Sequence, residues 1–185
     1  NRNQPRKRWD ITFEAFGKYL RNNNEKEVIL VVGTSQQGAW DMKELMEYNA
    51  IPDTSVMFLN NPQKLSDETI ELLYQACDIG MNTCDGEGFG LCNYEHAMYG
   101  KPQIVPKVGG LRKLVESDGS IGLEVKRREI LDSTRDGIGG IAEIIESDNV
   151  VDAMNTVIGR MDEERECVPK MKNWGEICEE LKNIL

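Results

Sequence analysis

The stretch that most restricts what this chain can fold into is Cys84-Asp-Gly-Glu-Gly-Phe-Gly-Leu-Cys-Asn-Tyr-Glu-His-Ala-Met-Tyr-Gly-Lys-Pro-Gln-Ile-Val-Pro-Lys-Val-Gly-Gly110. It lies between two short apolar runs, Ile79-Gly-Met81 and Ile104-Val105, and so reads as strand, glycine-rich turn, short helix, strand. That is the half-unit of a parallel α/β sheet. Gly86, Gly88 and Gly90 stand where the helix begins; they allow positive φ and close approach of a ligand to the backbone, beside helix N–H groups that have no partner within the helix. A phosphate suits that position. Gly100, Lys101 and Pro102 supply a C′ glycine, a cation at the negative helix end and a stop, which limits the helix to about ten residues, roughly 15 Å. Two carboxylates, Glu87 and Glu95, bracket its first part.

The 185 residues suit one domain, large enough to bury about 70% of its unfolded surface. With 32 acidic against 22 basic residues the formal charge is −10, which argues against a general nucleic-acid-binding surface. The five cysteines (Cys77, Cys84, Cys92, Cys167, Cys178) form no Cys-x-x-Cys pair and are odd in number, which favours a reduced, cytoplasmic setting. No run of eighteen apolar residues and no basic-then-apolar leader marks a membrane span or a signal peptide. No Asp-x-Asp triplet or His/Cys cluster offers a metal site, and no Ser-His-Asp or Cys-His set offers a nucleophile. The single histidine, His96, beside Glu95 in the helix, reads as satisfied packing.

In an otherwise acidic chain, residues 1–8 (Asn-Arg-Asn-Gln-Pro-Arg-Lys-Arg) carry four basic groups and no acid. Such an octet is either a local anion site or a solvated tail. Trp9, Phe13, Phe16 and Leu20 follow as the stripe of an amphipathic helix starting near residues 7–10, which places cations at a helix entrance. The helix dipole disfavours that, and a shared anionic ligand removes the conflict. Residues 28–33 (Val-Ile-Leu-Val-Val-Gly) predict a strand buried on both faces and therefore central. The following Gly33-Thr-Ser-Gln-Gln-Gly38 is neither a dinucleotide fingerprint nor a P-loop. Met42, Leu45 and Met46 predict a helix, residues 55–60 a strand, and Ser66 caps a helix whose stripe is Ile70, Leu73, Tyr74 and Cys77. Strands at 78–83 and 121–125 follow, then an insertion at about 126–143 that reads as a hairpin or lid, a helix at 147–158 and a C-terminal helix at about 174–185 carrying Ile177, Leu181 and Leu185. The predicted class is α/β, a Rossmann-like parallel sheet flanked by helices.

Glu87-Gly-Phe-Gly-Leu-Cys-Asn-Tyr-Glu95 resembles the paired-glutamate motif of family-4 retaining glycosyltransferases, in the nucleotide-sugar domain of the GT-B fold. Gly-Phe-Gly inside the pair, the Gly100-Lys-Pro102 exit, Val108-Gly-Gly110 and the upstream Leu73-Tyr-Gln-Ala-Cys-Asp78 give the resemblance its specificity, and it covers residues 2 to about 125. It implies a donor domain for a UDP- or GDP-linked sugar, with retention of anomeric configuration and without a metal or other cofactor. Arg2 and Lys7 match the cations that hold the donor diphosphate, whereas Asn1 and Arg8 stand where the family usually has glycines. The resemblance further implies that backbone near Gly88, Phe89, Gly90 and Leu91 helps hold the diphosphate, that Glu95 takes the ribose hydroxyls, that Glu87 faces the donor sugar or its anomeric carbon, and that the backbone just past a strand, at Leu59 and Asn60, meets the base. Lys113 replaces a usual glutamate and receives no role. The insertion, with Arg135-Asp-Gly-Ile-Gly-Gly-Ile141, is similar to one in glycosyltransferases of large algal DNA viruses, which implies a host-cytoplasm setting. Because a GT-B enzyme has two domains, the resemblance makes this chain the second of them. The N-terminal acceptor-binding domain is then a missing partner, the isolated domain is inactive, and the acceptor is a carbohydrate or other glycosylatable group. The alternative is a non-catalytic nucleotide-sugar-binding or regulatory module.

Overall fold

The computed structural model describes residues 2–23, 27–59, 64–116, 119–132, 139–163, 167–169 and 174–182. Its parallel strands come in two groups. β1 (Leu30–Val32) pairs with β2 (Val56–Phe58), Leu30 opposite Val56 and Val32 opposite Phe58. β3 (Gly80–Met81), β4 (Gln103–Pro106) and β5 (Ile121–Leu123) form a second set in that order, with Gly80 opposite Gln103 and Ile104 opposite Ile121. Each parallel pair is joined by a crossover that carries a helix: α2 (Met42–Tyr48) between β1 and β2, α4 (Leu91–Ala97) between β3 and β4, α5 (Leu111–Leu114) between β4 and β5. Parallel strands need such returns. β4, with a neighbour on each edge, is buried at all four residues. The 28–33 run was expected to be central; β1 spans only three of those residues and bonds only β2 among the described residues, because a strand is central only where both edges find a ladder.

The described residues of the 126–143 insertion contribute an antiparallel strand pair, β6 (Arg127–Leu131) and β7 (Gly140–Ile144), with Arg127 opposite Ile144 and Leu131 opposite Gly140. Its inner face, carrying Leu131, Ala142 and Ile144, packs on the main core. It is therefore part of the domain body.

α1 (Trp9–Asn22) lies between α2 and α6 (Ser147–Ile158), which explains why it is buried on more than its predicted stripe. Phe13, Phe16 and Tyr19 are fully enclosed, each worth about 1.5–3 kcal/mol on burial, and Ile11, Thr12 and Ala15 are buried beside them. Gly17 permits the close approach: a Cβ there would lie 2.7 Å from the Asn49 carbonyl oxygen. Val150, Val151, Ala153, Met154 and Val157 are the buried face of α6, and Lys18 ties the two helices through Asp148 at 2.7 Å and Ser147 at 2.9 Å. α3 (Asp67–Ala76), between β2 and β3, is capped by Ser66, whose Oγ accepts from Thr69 N–H at 3.3 Å. Its predicted stripe is only half-buried, and none of its residues is fully enclosed. The C-terminal helix, α7, runs Trp174–Lys182, and the side chains of Ile177, Leu181 and Leu185 lie outside the described residues. No helix among the described residues is long and apolar enough to cross a membrane.

Candidate donor site at the glycine turn

The basic octet is stitched into the domain. Asn3 donates through Nδ2 to the carbonyls of Ser35 (3.0 Å) and Trp40 (2.7 Å) and accepts from Trp40 N–H at 3.0 Å, while the Trp40 indole donates to the Gln4 carbonyl at 3.2 Å. Gly38 makes room for this, since a Cβ there would meet the Asn3 side chain at 2.6 Å. A solvated tail is thereby ruled out for residues 3–8. Pro5–Lys7 form one 3-10 turn, and Arg8 follows with φ 48° and ψ 50°, the left-handed conformation for which glycine is the usual choice. Arg8 meets that requirement with its guanidinium on Asp10 at 2.7 Å and its carbonyl accepting from the Thr83 hydroxyl at 2.9 Å.

This turn aims two cations at the loop after β3. Lys7, 8% exposed, donates to Glu87 Oε2, and Arg6 places Nη1 3.7 Å from the same oxygen while donating to the Gly86 carbonyl at 2.9 Å. Backbone bonds fix the register: Asp85 N–H donates to the Arg6 carbonyl at 3.0 Å, and Glu143 N–H, from β7, donates to the Asp85 carbonyl at 2.8 Å. The Glu143 carboxylate in turn receives Arg112 (3.1 Å) and Arg128 (3.0 Å). Octet, glycine turn and hairpin are thus one hydrogen-bonded unit. Cys84, fully buried at the start of the turn, has its thiol pushed up to about 12 by burial and next by the Glu87 charge, so it stays protonated and inert.

The glycines divide their tasks. Only Gly90 of the three in the turn has positive φ (88°), and a Cβ there would press on Leu111 at 2.3 Å. Gly86 and Gly88 face open space, where a Cβ would meet nothing within 4 Å, and this leaves the turn accessible to a ligand. Gly109 and Gly110 are packed against the turn: a Cβ on Gly109 would lie 1.8 Å from the Glu87 carbonyl oxygen, and Gly110 N–H donates to the Gly88 carbonyl at 3.1 Å. Phe89, partly exposed, stacks on Tyr94 at 4.7 Å, and the Tyr94 hydroxyl donates to the Gly110 carbonyl at 2.9 Å. α4 spans seven residues where about ten were expected. Its chain continues through turns to Gly100, which has the expected positive φ (74°).

Glu95 is tied to α3: the Tyr74 hydroxyl donates to its Oε2 at 2.8 Å. Burial first, and then this bond, push the Tyr74 phenol above its ordinary value, so it remains a donor. Beneath α4 runs a buried polar chain. Cys84 N–H meets Asn82 Oδ1 (3.0 Å), Asn82 Nδ2 meets Asn93 Oδ1 (2.9 Å), Asn93 Nδ2 meets Gln103 Oε1 (3.0 Å), Gln103 Nε2 meets His96 Nδ1 (3.2 Å), and His96 Nε2 meets the Cys77 carbonyl (3.0 Å). His96 is therefore satisfied packing, as expected, and burial holds its pKa below the ordinary value.

Of the expected site residues, the structure brings together Lys7, Glu87, Gly88, Phe89, Gly90 and Leu91, with Glu95 on the same short helix as Leu91. Arg2 is exposed and has no side-chain hydrogen bond or ion pair among the described residues; its carbonyl accepts from Gln4 N–H at 3.1 Å. Asn60 lies outside the described residues. Arg6, Asp85 and Glu143 belong to the unit and were missed; the family motif drew attention to Lys7, and nothing in the sequence couples Glu143 to a turn so far upstream. A separate hollow of about 340 Å³ between Lys101 and Arg160 sits at the amino ends of β3, β4 and β5. Ligands of open α/β sheets bind at the carboxyl ends, which is where the glycine turn lies.

The sequence profile described as "Glycosyl transferases group 1" matches residues 1–158. The chain belongs to that glycosyltransferase family. No curated protein matches it. Among solved structures, the C-terminal domain of the group 1 glycosyltransferase LpcC of Francisella tularensis is 20% identical at a TM-score of 0.62, over 85% of this chain and 72% of that domain. HepE of Anabaena, solved in complex with UDP-glucose, is 23% identical at 0.60, over 88% of this chain and 38% of its own. Sucrose-phosphate synthase of Thermosynechococcus elongatus is 16% identical at 0.63, over 97% and 42%. These likenesses establish the fold, that of the C-terminal half of a GT-B glycosyltransferase. This glycosyltransferase chain spans about two-fifths of the length of the latter two proteins.

Proposed function

We propose that the chain is the donor-binding half of a retaining, metal-independent glycosyltransferase, holding a UDP- or GDP-linked sugar in a cleft completed by a separate acceptor-binding domain. The observation that carries this reading is the convergence of Lys7 and Arg6 on Glu87 at an open glycine turn. In a chain of net charge −10, two cations and one carboxylate are held at the carboxyl end of a parallel strand, where a diphosphate needs positive charge. As the bond from anomeric carbon to phosphate oxygen breaks, negative charge grows on the leaving diphosphate and positive charge on the sugar. Arg6 and Lys7, joined by Arg2 when the diphosphate enters, stabilise the first, and Glu87 stabilises the second. This is preorganised electrostatic catalysis, because the charged groups are already fixed before the bond breaks. The backbone of Gly88, Phe89, Gly90 and Leu91 lines the turn beside the phosphates, Glu95 takes the ribose hydroxyls, and Asn60 meets the base.

The two glutamates separate the roles. Glu95→Ala is expected to weaken nucleoside diphosphate and sugar nucleotide alike, by about 1–3 kcal/mol for lost charged hydrogen bonds. Glu87→Ala is expected to spare the bare nucleotide, weaken the intact donor and, in the two-domain enzyme, lower kcat more than donor affinity. Calorimetric titration of both variants with UDP, GDP and their sugar conjugates, with and without chelator, checks this. Equal losses for both ligands in both variants reject the division of labour, and loss of all binding on chelation rejects the metal-free reading.

A further inference from the structure

We infer that Tyr74 is a positioning residue for donor binding: it orients the Glu95 carboxylate toward the ribose, and the buried amide chain under α4 seats Tyr74 to do so. The inference rests on the reading of Glu95 as the ribose ligand.

A carboxylate on an exposed helix position samples many rotamers, and Glu95 is exposed. The Tyr74 hydroxyl holds its Oε2, and Oε1 has no hydrogen-bond partner among the described residues, which leaves it to accept from a ligand hydroxyl. Tyr74 is able to hold Glu95 only if α3 is held. None of the residues of α3 is fully buried, so its attachment near its C-terminus counts. The Tyr74 ring stacks on the His96 imidazole at 5.5 Å and 23° and meets Tyr99 at 6.2 Å, and His96 Nε2 bonds the carbonyl of Cys77, the residue that ends α3.

The direction of that last bond follows from the other end of the chain. Cys84 N–H is a backbone donor and cannot reverse, so Asn82 faces it with Oδ1 and offers Nδ2 to Asn93. The same logic passes through Asn93 Nδ2 to Gln103 Oε1, which leaves Gln103 Nε2 to donate to His96 Nδ1. A second bond locks the glutamine, because Nε2 also donates to the Lys101 carbonyl at 3.0 Å. His96 therefore carries its proton on Nε2 and donates to Cys77. Asn82, Asn93, His96 and Gln103 are all buried, so a break anywhere strands a polar group without water. The chain starts at the first residue of the glycine turn and ends at the foot of α3. One network thereby fixes both the turn proposed for the diphosphate and the tyrosine that orients the ribose carboxylate.

The test is calorimetry on the wild-type chain, Y74F, E95A and Y74F/E95A, using UDP and GDP and their 2′,3′-dideoxy analogues. Y74F keeps the ring on His96 and removes only the hydroxyl. It is expected to weaken the ribonucleotide about three- to tenfold, to leave the dideoxy nucleotide unchanged and to add nothing in the E95A background. A general structural role weakens both nucleotides alike and overturns the inference. So does a Y74F affinity equal to wild type alongside a weakened E95A, which leaves Glu95 as ribose ligand. An E95A affinity equal to wild type removes that reading instead, and the inference with it.

Discussion

Replacing Lys7 by methionine separates what the Lys7–Glu87 pair does for the fold from what it does for a ligand. The Lys7 side chain is 7% exposed and that of Glu87 15%, so the variant leaves a carboxylate short of its main partner in a poorly solvated place. Removing one partner of a buried ion pair costs about 3–5 kcal/mol. Arg6 remains 3.7 Å from the same oxygen and Glu87 keeps some water, so the expected loss is smaller, about 1–3 kcal/mol. Glu87→Gln in the same chain removes the stranded charge, so K7M/E87Q is expected to recover to within about 1 kcal/mol of wild type by urea unfolding midpoints. Nucleotide binding behaves otherwise. Lys7 is assigned a charge-assisted bond to the diphosphate worth about 1.5–3 kcal/mol, so K7M loses roughly ten- to a hundredfold in affinity. The double variant regains none of this. Calorimetry with UDP and GDP on the three proteins, at a temperature where all are folded, gives the comparison. Affinity that returns together with stability in K7M/E87Q refutes the assignment, since Lys7 then acts only through the fold.

Gly109→Ala is expected to cost about 2–4 kcal/mol by urea unfolding, because φ is +45° and the new Cβ would sit 1.8 Å from the Glu87 carbonyl oxygen, whereas Gly86→Ala, facing open space, stays within about 0.5 kcal/mol and loses nucleotide affinity if the ligand occupies that space. His96 gives a pH signature of definite sign. Its folded pKa lies below the ordinary 6.5, mainly through burial, so the unfolded chain binds the proton more readily. Its contribution is complete above the unfolded pKa and is lost as pH falls toward the lower folded value. Urea midpoints of wild type and His96→Asn are expected to converge on acidification below about pH 6.5, with Tyr74, Cys77, Asp78 and Lys101 as the groups around the ring; a constant gap refutes the titration.

The alternation of strand and helix was legible because each element carries its own local signal. Ser66 followed by Asp67 and Glu68 caps α3 as expected, and α6 spans the expected residues 147–158 with Val150, Val151, Met154 and Val157 of its expected stripe buried and Ile158 half-buried. α1 shows where such signals end. Trp9 and Leu20 of its predicted stripe are only half-buried, while Ile11, Thr12, Ala15 and Tyr19 are enclosed, because α6 arrives from far along the chain to cover a second face. Periodicity reports that a helix has an apolar side; it does not report how many neighbours share the helix. The same limit holds for Gly109 and Gly110. Their presence signals a close approach, but only the fold names the Glu87–Phe89 backbone as what approaches.

At the candidate site the sequence marked Lys7 and Glu87 and left Arg6, Glu143 and the backbone that aims them unread. Arg8 is the clearest case. A residue with a Cβ pays about 1–2 kcal/mol to stand in the left-handed region, and Arg8 stands there at φ 48°. The conformation therefore does not come from the freedom of the residue that adopts it. It comes from the bonds on either side: Asp10 on the guanidinium, Thr83 on the carbonyl, and Thr12 on Thr83 at 2.7 Å. Thr12 belongs to α1 and Thr83 to the exit of β3, so the turn that carries Lys7 to Glu87 is clamped between the first helix and the strand that feeds the glycine loop. A glycine at this position leaves the turn free to relax, whereas an arginine tied at both ends holds Arg6 and Lys7 at one setting. In this chain the turn is thus held by contacts made elsewhere in the fold, so its cations are in place before any anion arrives.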